Sequence, residues 1–288
     1  MHIRLFFAVA VLLIAGCTGS FSKKSSNRHI NDTSFSVYSG FVKDSFTVTM
    51  AFPDDYNADS IHRYPVVYVL DANLHFKIYA TIMKQYSEVG LIPPVILVGV
   101  GYKDFQTMDS LRNRDYTYPV AIPAYEMAVS GGADQFLRFL GNELIPAVNS
   151  QLRYSNSRRV LVGHSLGGYF AMFALQQQLA GGKQLFDDFI AASPSLHYNH
   201  YYLPVQLKSK ILDTSFAGSL YVTYGGLEDA GNADDTTLLP VADVLAALKK
   251  NLQSVPHLAC KTAVYSGLDH MDTQLPTFIK GLQEIGSK

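Results

Sequence analysis

Short apolar runs alternate with longer stretches of helical periodicity along most of this chain. The apolar runs, rich in Val, Ile, Leu and aromatic residues, occupy residues 64–70, 94–100, 160–162, 186–192, 219–224 and 261–265. Apolar residues at helical spacing occur at residues 72–87, 134–152, 166–179, 241–252 and 271–285. Strands that alternate with helices predict βαβ units, and therefore an α/β fold with a mostly parallel central sheet and helices on both faces.

Two segments depart from this alternation. Residues 34–53 contain two β-like runs, around Phe35 and Phe46, which we expect to pair antiparallel at the start of the sheet. Residues 101–123 are polar and irregular, so we expect a long loop there. Loops of this length in compact domains are often functional. No second domain boundary is apparent, so we predict one α/β domain over residues 33–288.

The first 16 residues have the pattern of a secretory signal. Arg4 precedes an unbroken apolar run over residues 5–15, which is too short to span a membrane and typical of a signal peptide. The run ends in the sequence LIAGC, which resembles the lipobox of bacterial lipoproteins. The resemblance implies cleavage before Cys17 and lipidation of Cys17. The alternative is an ordinary cleaved signal in which this cysteine occurs by chance.

We therefore expect a lipoprotein signal peptide over residues 1–16 and a lipid-anchored tether over residues 17–32. The tether is rich in Ser and Lys and nearly free of large apolar groups, as flexible linkers are. Thr18 after the cysteine favours the outer membrane by the same resemblance. The expected location is the bacterial cell envelope, with the lipid on Cys17 as the attachment to the membrane.

Composition excludes some classes of protein. The 288 residues are 48% hydrophobic and 16% charged, which is typical of a globular protein. A net charge of −1 leaves no broad basic surface for nucleic acid. Trp is absent, so an aromatic platform for a substrate must use Tyr, Phe or His. If Cys17 is lipidated, Cys260 has no cysteine partner, and its apolar neighbours predict a buried strand residue.

The sequence Gly163-His164-Ser165-Leu166-Gly167 lies between an apolar run and a helical stretch. Strand, sharp turn and helix in this order, with a serine at the apex, predict a G-x-S-x-G nucleophile elbow. The two glycines leave room where the helix backbone passes the strand. The helix N-terminus directs free N–H groups at a developing oxyanion. The alternative is an ordinary glycine-rich turn.

Ser165 needs a base, and the ends of the later strands supply candidates. Ligand sites in a parallel sheet lie outside the carboxyl ends of its strands. His270 follows the last apolar run, and Glu228 and Asp229 follow the run before it. Serine, acid and histidine then occur in the chain order of α/β-hydrolases. We assign His270 as the base, and we prefer Glu228 to Asp229 as the acid that orients it.

The oxyanion hole needs two N–H donors. We expect one from Leu166, the residue after the nucleophile, and one from the loop that follows an earlier strand. Ala72 is the candidate for the second donor. Its neighbour Asp71 could at the same time cap the helix that follows.

Three other polar clusters have simpler interpretations than a metal site. His197 and His200 have the spacing of zinc ligands, but we expect a loop beside the active site. Residues 228–235 are acidic but lack the EF-hand pattern of calcium loops. Arg112 and Asp115 are expected to form a buried pair that holds the long loop, with binding of a substrate anion as the alternative. We therefore predict no bound metal.

Several motifs together resemble one family. They are similar to the esterase family of α/β-hydrolases that includes esterase D and enterochelin-esterase-like hydrolases, over about residues 35–285. The motifs are YPVVYVLD (64–71), RNRDY (112–116), GGADQFL (131–137), GHSLGG (163–168), ASPS (192–195) and the late His270. The candidate substrate-binding residues lie in these motifs or in the long loop; they are Asp71, Tyr102, Arg112, His164 and Ser193.

This resemblance implies an α/β-hydrolase that cleaves esters or thioesters without a cofactor. One branch of the family opens the cyclic catecholate trilactones of siderophores, and some of its members use a Ser–His pair without a strong acid. The chain differs from the family pattern in two places. Ala72 stands where Gly is frequent, and Leu196-His197-Tyr198 replaces a segment in which siderophore esterases tend to carry Trp. The second difference argues against a siderophore substrate.

The leading hypothesis is a lipid-anchored serine carboxylesterase that cleaves a small or medium acyl ester, with siderophore-type esters among the candidates. An acyltransferase would use the same Ser–His machinery, with an alcohol in place of water. The third alternative is a non-catalytic envelope binding protein on a hydrolase scaffold. Ser165 and His270 at their expected positions argue against that alternative.

Overall fold

The computed structural model of the chain describes residues 33–54, 56, 63–152, 158–209, 215–231 and 237–286. The expected signal peptide, tether and Cys17 lie outside these residues, as does the end of the acidic segment 228–235. Of the helices in the described ranges, none combines the length and the hydropathy that a membrane span requires.

Eight strands in the described ranges form one sheet. They are β1 (Thr33–Ser39), β2 (Asp44–Ala51), β3 (Val66–Val69), β4 (Ile96–Gly101), β5 (Arg159–His164), β6 (Asp188–Ala192), β7 (Gly218–Gly225) and β8 (Leu258–Tyr265). Their order across the sheet is β1-β2-β4-β3-β5-β6-β7-β8. β2 pairs antiparallel with β1 and with β4, and the other neighbours pair parallel. The predicted antiparallel opening pair and mostly parallel sheet are confirmed.

The described helices connect these strands. They are α1 (Ala72–Glu88), α2 (Phe105–Tyr116), α3 (Ala133–Phe139), α4 (Ile145–Gln151), α5 (Leu166–Leu179), α6 (Tyr198–Ser209), α7 (Glu228–Gly231), α8 (Val241–Leu252) and α9 (Gln274–Gly286). A π-helical turn over Leu140–Leu144 joins α3 to α4. The helix predicted over residues 134–152 is therefore present but interrupted.

Helices cover both faces of the sheet, as alternate residues of β6 show. Phe189 and Ala191 belong to the main apolar core, together with Phe170 of α5. Ile190 points to the opposite face, where α9 packs so closely that a Cβ at Gly281 would lie 2.6 Å from Ile190 Cδ1. Strands buried on both faces consist of nearly continuous apolar residues, which explains the runs in the sequence. The predicted α/β-hydrolase fold is confirmed.

The prediction of a long loop over residues 101–123 is wrong in its first half, where α2 forms. Asp104 caps this helix, because its Oδ1 accepts the N–H of Thr107 at 2.8 Å. Polar side chains dominate α2. Of its three buried residues one is Asp115, so apolar periodicity does not reveal the helix.

Cys260 lies on β8, but it is half-buried, which corrects the prediction of a buried residue. β8 is the last strand in the sheet order, so it has a strand neighbour on one side. Burial raises the pKa of the Cys260 thiol, and nearby Lys249 opposes this with a smaller effect. The thiol is therefore protonated near neutral pH.

The topology brings four loops together. Ser165 follows β5, Ser193 follows β6, Glu228 follows β7 and His270 follows β8. These four strands are consecutive parallel neighbours in the sheet, so the loops after their carboxyl ends lie side by side.

Candidate active site

Ser165 occupies the turn between β5 and α5 and has the backbone geometry of a nucleophile elbow. Its φ of 58° and ψ of −120° are costly for a residue with a side chain. Its N–H donates to the carbonyl oxygen of Ala192 on β6 at 3.0 Å, which helps to hold the turn. A Cβ at Gly163 would lie 2.1 Å from the carbonyl oxygen of Gly167, so only glycine fits at that position.

His270 and Glu228 form a hydrogen-bonded pair after adjacent strands. His270 Nδ1 lies 3.0 Å from Glu228 Oε2. The other carboxylate oxygen, Oε1, accepts the hydroxyl of Ser193 and the N–H of Gly225, both at 2.6 Å. The side chain of Glu228 is 9% exposed and that of His270 is 38% exposed. The carboxylate is therefore fixed, while the imidazole faces accessible space.

These contacts keep the carboxyl of Glu228 ionised. Burial raises its pKa, but hydrogen bonds from His270, Ser193 and Gly225 lower it more, so the pKa lies below the usual value. A carboxylate can only accept, so it selects the tautomer of His270 that carries the proton on Nδ1. The other nitrogen, Nε2, is then able to act as a base.

Asp229, the alternative acid, has a different position. Its Oδ1 accepts the N–H of Val241 at 2.9 Å, at the first residue of α8. The residue before this helix, Pro240, has no side-chain acceptor for that N–H. Asp229 therefore caps α8 from another segment of the chain, and of the two carboxylates the structure brings Glu228 to His270.

Two contacts join the elbow to the neighbouring strand ends. Ser165 Oγ lies 3.4 Å from Ser195 Oγ in the loop after β6. His164 Nε2 donates to the carbonyl oxygen of His270 at 2.8 Å, so the residue before the nucleophile holds the backbone of the histidine. Ser195 is not among the residues predicted from the sequence. Its place after the strand beside the elbow is the signal that could have identified it.

His164 is a neutral hydrogen-bond donor. It is buried, and burial lowers the pKa of its imidazole to about 4, an effect that the hydrogen bond to the His270 carbonyl only partly opposes. Its ring packs edge-on against the ring of His75, which is also buried; the ring centroids are 5.9 Å apart. At neutral pH His164 therefore contributes a fixed N–H rather than a charge.

The two expected oxyanion donors lie at helix N-termini. Leu166 is the first residue of α5, and Ala72 is the first residue of α1. The N–H of a first helical residue has no acceptor within its own helix, and the helix dipole favours negative charge there. A Cβ at Gly167 would lie 3.1 Å from Asp71 Oδ2, so the start of α1 lies directly against the elbow.

Of the five residues predicted to bind substrate, four are buried and Arg112 is partly buried. Asp71, Tyr102, His164 and Ser193 are each at most 5% exposed, and the side chain of Arg112 is 17% exposed. Their polar groups bond to protein atoms. These bonds fix the side chains beside the site, and their contact with a substrate stays a prediction.

Arg112 and Asp71 form the central contact of this group. Arg112 Nε and Nη2 donate to the two oxygens of Asp71 at 3.0 and 2.9 Å. Burial lowers the pKa of Arg112, but the Asp71 carboxylate raises it more. The side-chain cap on α1, the alternative role considered for Asp71, is not formed. The predicted Arg112–Asp115 pair is wrong, because Asp115 accepts from Arg114 at 2.7 Å and from Tyr102 at 2.9 Å.

A cavity of about 740 Å³ opens beside His270, and Ser195 and Glu228 also lie in its wall. We call it the apolar cavity, after the side chains that make up much of its wall: Leu227, Leu238, Leu239, Val241, Val244 and Met271. Most of these residues lie in loops, where apolar side chains show no periodicity. Their convergence on one cavity therefore leaves no pattern in the sequence.

The segment with His197 and His200 lies beside the site, as expected. His197 is in the wall of the cavity. Asn199, His200 and Tyr201 have φ values of 49°, 53° and 61°, and the amide of Asn199 bonds to the backbone of residues 120–122. Within the described ranges, no group of His, Cys, Asp and Glu side chains is arranged to hold a metal ion.

A serine elbow after β5, with an acid–histidine pair after β7 and β8, places the chain among the α/β-hydrolases with a nucleophilic serine. Residues 39–242 match the model of a family described as Putative esterase. Since this match spans more than half of the chain, the chain belongs to that family, and the resemblance found from its motifs is confirmed.

Relatives agree with this assignment. The chain is 36% identical over 147 residues to the ferri-bacillibactin esterase BesA of Bacillus subtilis (strain 168), a match that covers 47% of this chain and 49% of BesA. The IroE-like serine hydrolase from Shewanella oneidensis is 27% identical, with a TM-score of 0.71, over 89% of this chain and 80% of that one. The BES protein from Bacillus cereus shares the fold, with a TM-score of 0.73 over 98% and 99% of the two chains at 24% identity. The chain spans about half the length of the curated relatives it matches.

Proposed function

We propose that the chain is a serine esterase that hydrolyses small or medium acyl esters through an acyl-enzyme on Ser165. The observation that carries this proposal is the contact of 3.0 Å between His270 Nδ1 and Glu228 Oε2 beside the serine elbow. A hydrogen-bonded carboxylate on one nitrogen of an accessible imidazole is the arrangement that makes the other nitrogen a general base.

In the proposed mechanism, Ser165 Oγ attacks the carbonyl carbon of the ester and His270 Nε2 takes its proton. Hydrogen bonds of this kind often tighten only with substrate bound, so Ser165 exchanges its contact with Ser195 for one with His270. The carbonyl oxygen becomes an oxyanion, which the N–H groups of Leu166 and Ala72 stabilise. The alcohol leaves with the proton from His270, and the acyl group stays on the serine.

Hydrolysis of the acyl-enzyme repeats these steps with water. His270 Nε2 takes a proton from the water, whose oxygen attacks the acyl carbon, and the second oxyanion forms in the same place. The proton then returns to Ser165 Oγ as the carboxylic acid leaves. Throughout, the carboxylate of Glu228 holds Nδ1–H and stabilises the imidazolium, and it does not take the proton itself.

The name of the BesA relative makes siderophore-type esters one class of substrate to test. The proposal itself requires only a carboxylic ester. Ser165→Ala should reduce hydrolysis of p-nitrophenyl acetate by at least roughly a thousandfold and abolish labelling by a fluorophosphonate probe. Ser34→Ala, an exposed serine on β1, serves as the matched control and should keep both. Full activity in Ser165→Ala with an unchanged melting temperature would end the proposal.

We also propose that Cys17 is lipidated and holds the enzyme in the cell envelope. The support comes from the sequence: the signal-like run over residues 5–15 and the LIAGC sequence before residue 18. The wild-type protein should incorporate a fatty-acid label and sediment with membranes. Cys17→Ser should lose the label, whereas Cys260→Ser should keep it; a labelled Cys17→Ser protein would refute the anchor.

A further inference from the structure

The apolar cavity lies beside the nucleophile and its base. Ser195, Glu228 and His270 lie in its wall, and Ser195 Oγ is 3.4 Å from Ser165 Oγ. A volume of about 740 Å³ falls within the range of small-molecule sites. An inference about the substrate can therefore be drawn from the chemistry of this wall, and it depends on the esterase function proposed above.

Large apolar side chains line the cavity while they remain exposed. Leu227 is 48% exposed, Leu239 is 51% exposed and Met271 is 54% exposed, and they come from three separate loops. Their convergence on one cavity is more than scattered surface apolarity, which needs no explanation. The apolar surface of each of these side chains leaves water only when a ligand covers it. Such burial is favourable by about 25 cal/mol per Å² of apolar surface.

The charged groups in the wall are all acidic. Among the described residues that line the cavity, Glu228, Asp229 and Asp269 are carboxylates and there is no Lys or Arg. An anionic ligand would lose hydration here without gaining an ion pair, which is unfavourable.

The partly buried cation Arg112, beside the elbow, does not line the cavity and is already paired. Arg112 donates to both oxygens of Asp71, and its Nη2 lies 3.5 Å from the carbonyl oxygen of His164. Besides the carboxylates and histidines of its wall, the cavity offers uncharged hydroxyl groups, those of Ser195 and Tyr201. Tyr201 OH accepts the N–H of Leu239 at 2.6 Å, so its own proton points elsewhere and can be donated to a ligand.

From this wall we propose that the cavity selects an uncharged, apolar half of the ester, aliphatic or aryl, and discriminates against anionic substrates. A ferric tris-catecholate, which carries several negative charges, is therefore a poor substrate for this chain. The iron-free, uncharged form of such a lactone remains compatible with the cavity.

The test compares substrates that differ in one terminal group. p-Nitrophenyl hexanoate and the mono-p-nitrophenyl ester of adipic acid have the same chain length, but one ends in a methyl group and the other in a carboxylate. A second pair places a methyl group or a carboxylate on the aryl ring of an aryl butyrate. We expect kcat/KM for the uncharged member to be at least about thirtyfold higher in one of the two pairs, because the wall offers the carboxylate no cation.

Variants of Leu239 separate charge from apolarity. Leu239→Lys places a cation in the wall. The ratio of kcat/KM between the uncharged and the anionic ester should then fall at least about fivefold. Leu239→Gln, of similar size but uncharged, should lower the rate with the hexanoyl ester and leave the anionic ester as poor as before. Because Leu239 is half exposed, both variants are expected to fold, which a thermal melt checks.

Equal rates for both members of both pairs, or an unchanged preference in Leu239→Lys, would overturn this inference while the esterase function stands. Faster cleavage of a ferric catecholate lactone than of its iron-free form would do the same. Failure of the wild-type protein to cleave p-nitrophenyl acetate or any ester of the panel would overturn the esterase function, and the inference would fall with it.

Discussion

The two sides of the serine elbow are built by opposite rules. On one side lies a buried polar wall, which we define as Asp71, Tyr102, Arg112, Asp115 and His164, where each side chain bonds to another part of the protein. On the other side lies the apolar cavity, in whose wall Leu227, Leu239 and Met271 are about half exposed. The polar groups are bonded within the protein, whereas the apolar groups are exposed and can contact a ligand.

This difference shows which kind of residue is better evidence for a ligand site. Polar residues beside a catalytic motif attract a functional assignment, but a buried polar group must be bonded within the protein, or it destabilises the fold. Its hydrogen bonds are then accounted for within the protein. Exposed apolar side chains stabilise the fold little, so their convergence on a cavity is better evidence of a ligand. Four predictions test whether the two sides separate in this way.

The largest effect is expected at Glu228, which lies between the two sides. Glu228→Gln keeps the shape but replaces the acceptor of His270 Nδ1–H with an amide that favours the wrong tautomer. We expect kcat/KM for p-nitrophenyl acetate to fall by roughly a thousandfold or more. Asp229→Asn, the adjacent carboxylate that caps α8, is the matched control and should lose less than tenfold. Equal losses would show that the acid is not Glu228.

The second effect concerns stability. Arg112→Met removes the partner of Asp71, which leaves a carboxylate with 2% exposure without its ion pair. Breaking a buried pair in this way costs about 3–5 kcal/mol of the free energy of unfolding, measurable by urea denaturation. Adding Asp71→Asn should restore part of the loss, because the buried charge is gone. Leu239→Ser on the other side should change stability by less than about 1 kcal/mol. A similar loss in both variants would contradict the separation.

The elbow and its histidine could be predicted because both are marked by the local order of residues along the chain. That order is enough to recognise both: the serine lies between an apolar run and a helical stretch, and the histidine follows the last run. The choice between Glu228 and Asp229 is different. The two are adjacent in the chain, and what separates them is that one reaches His270 and the other reaches the start of α8.

The substrate side could not be predicted, for two physical reasons. Whether Arg112 faces a ligand or another side chain depends on the packing of α2 against the start of α1, which leaves no trace in composition. The exposure of Leu239 and Met271 likewise depends on how separate loops converge. Fold class, by contrast, follows from the alternation of apolar runs and helices, and it was correct.

The third effect is a dependence of stability on pH that arises from the buried polar wall. His164 has a folded pKa of about 4, below the value near 6.5 of an unfolded histidine. Its contribution is therefore fully present above pH 6.5 and is lost progressively as the pH falls from there toward 4, because the unfolded chain binds the proton more readily. Between pH 7 and pH 5 the free energy of unfolding should fall.

His164→Gln isolates this contribution. Glutamine keeps an amide donor for the carbonyl of His270 but does not titrate. The loss between pH 7 and pH 5 should be smaller in this variant by roughly 1–2 kcal/mol. Buried His75, whose pKa is also lowered by burial, is present in both proteins. His200→Gln, an exposed histidine, should behave as the wild type; an identical pH dependence in His164→Gln and wild type would show that His164 is not the group responsible.

The smallest effect lies on the cavity side and separates substrate binding from stability. Met271 is 54% exposed in the cavity wall, so Met271→Ala should change the free energy of unfolding by less than about 0.5 kcal/mol. KM should rise about threefold to tenfold for a hexanoyl ester, because one apolar contact in a pocket is worth about 1 kcal/mol, and it should stay unchanged for the acetyl ester. A series of p-nitrophenyl esters of increasing chain length measures this. If KM rose equally for every chain length, Met271 would act through the position of His270 rather than through contact with the substrate, and the apolar cavity would lose its role as the substrate side.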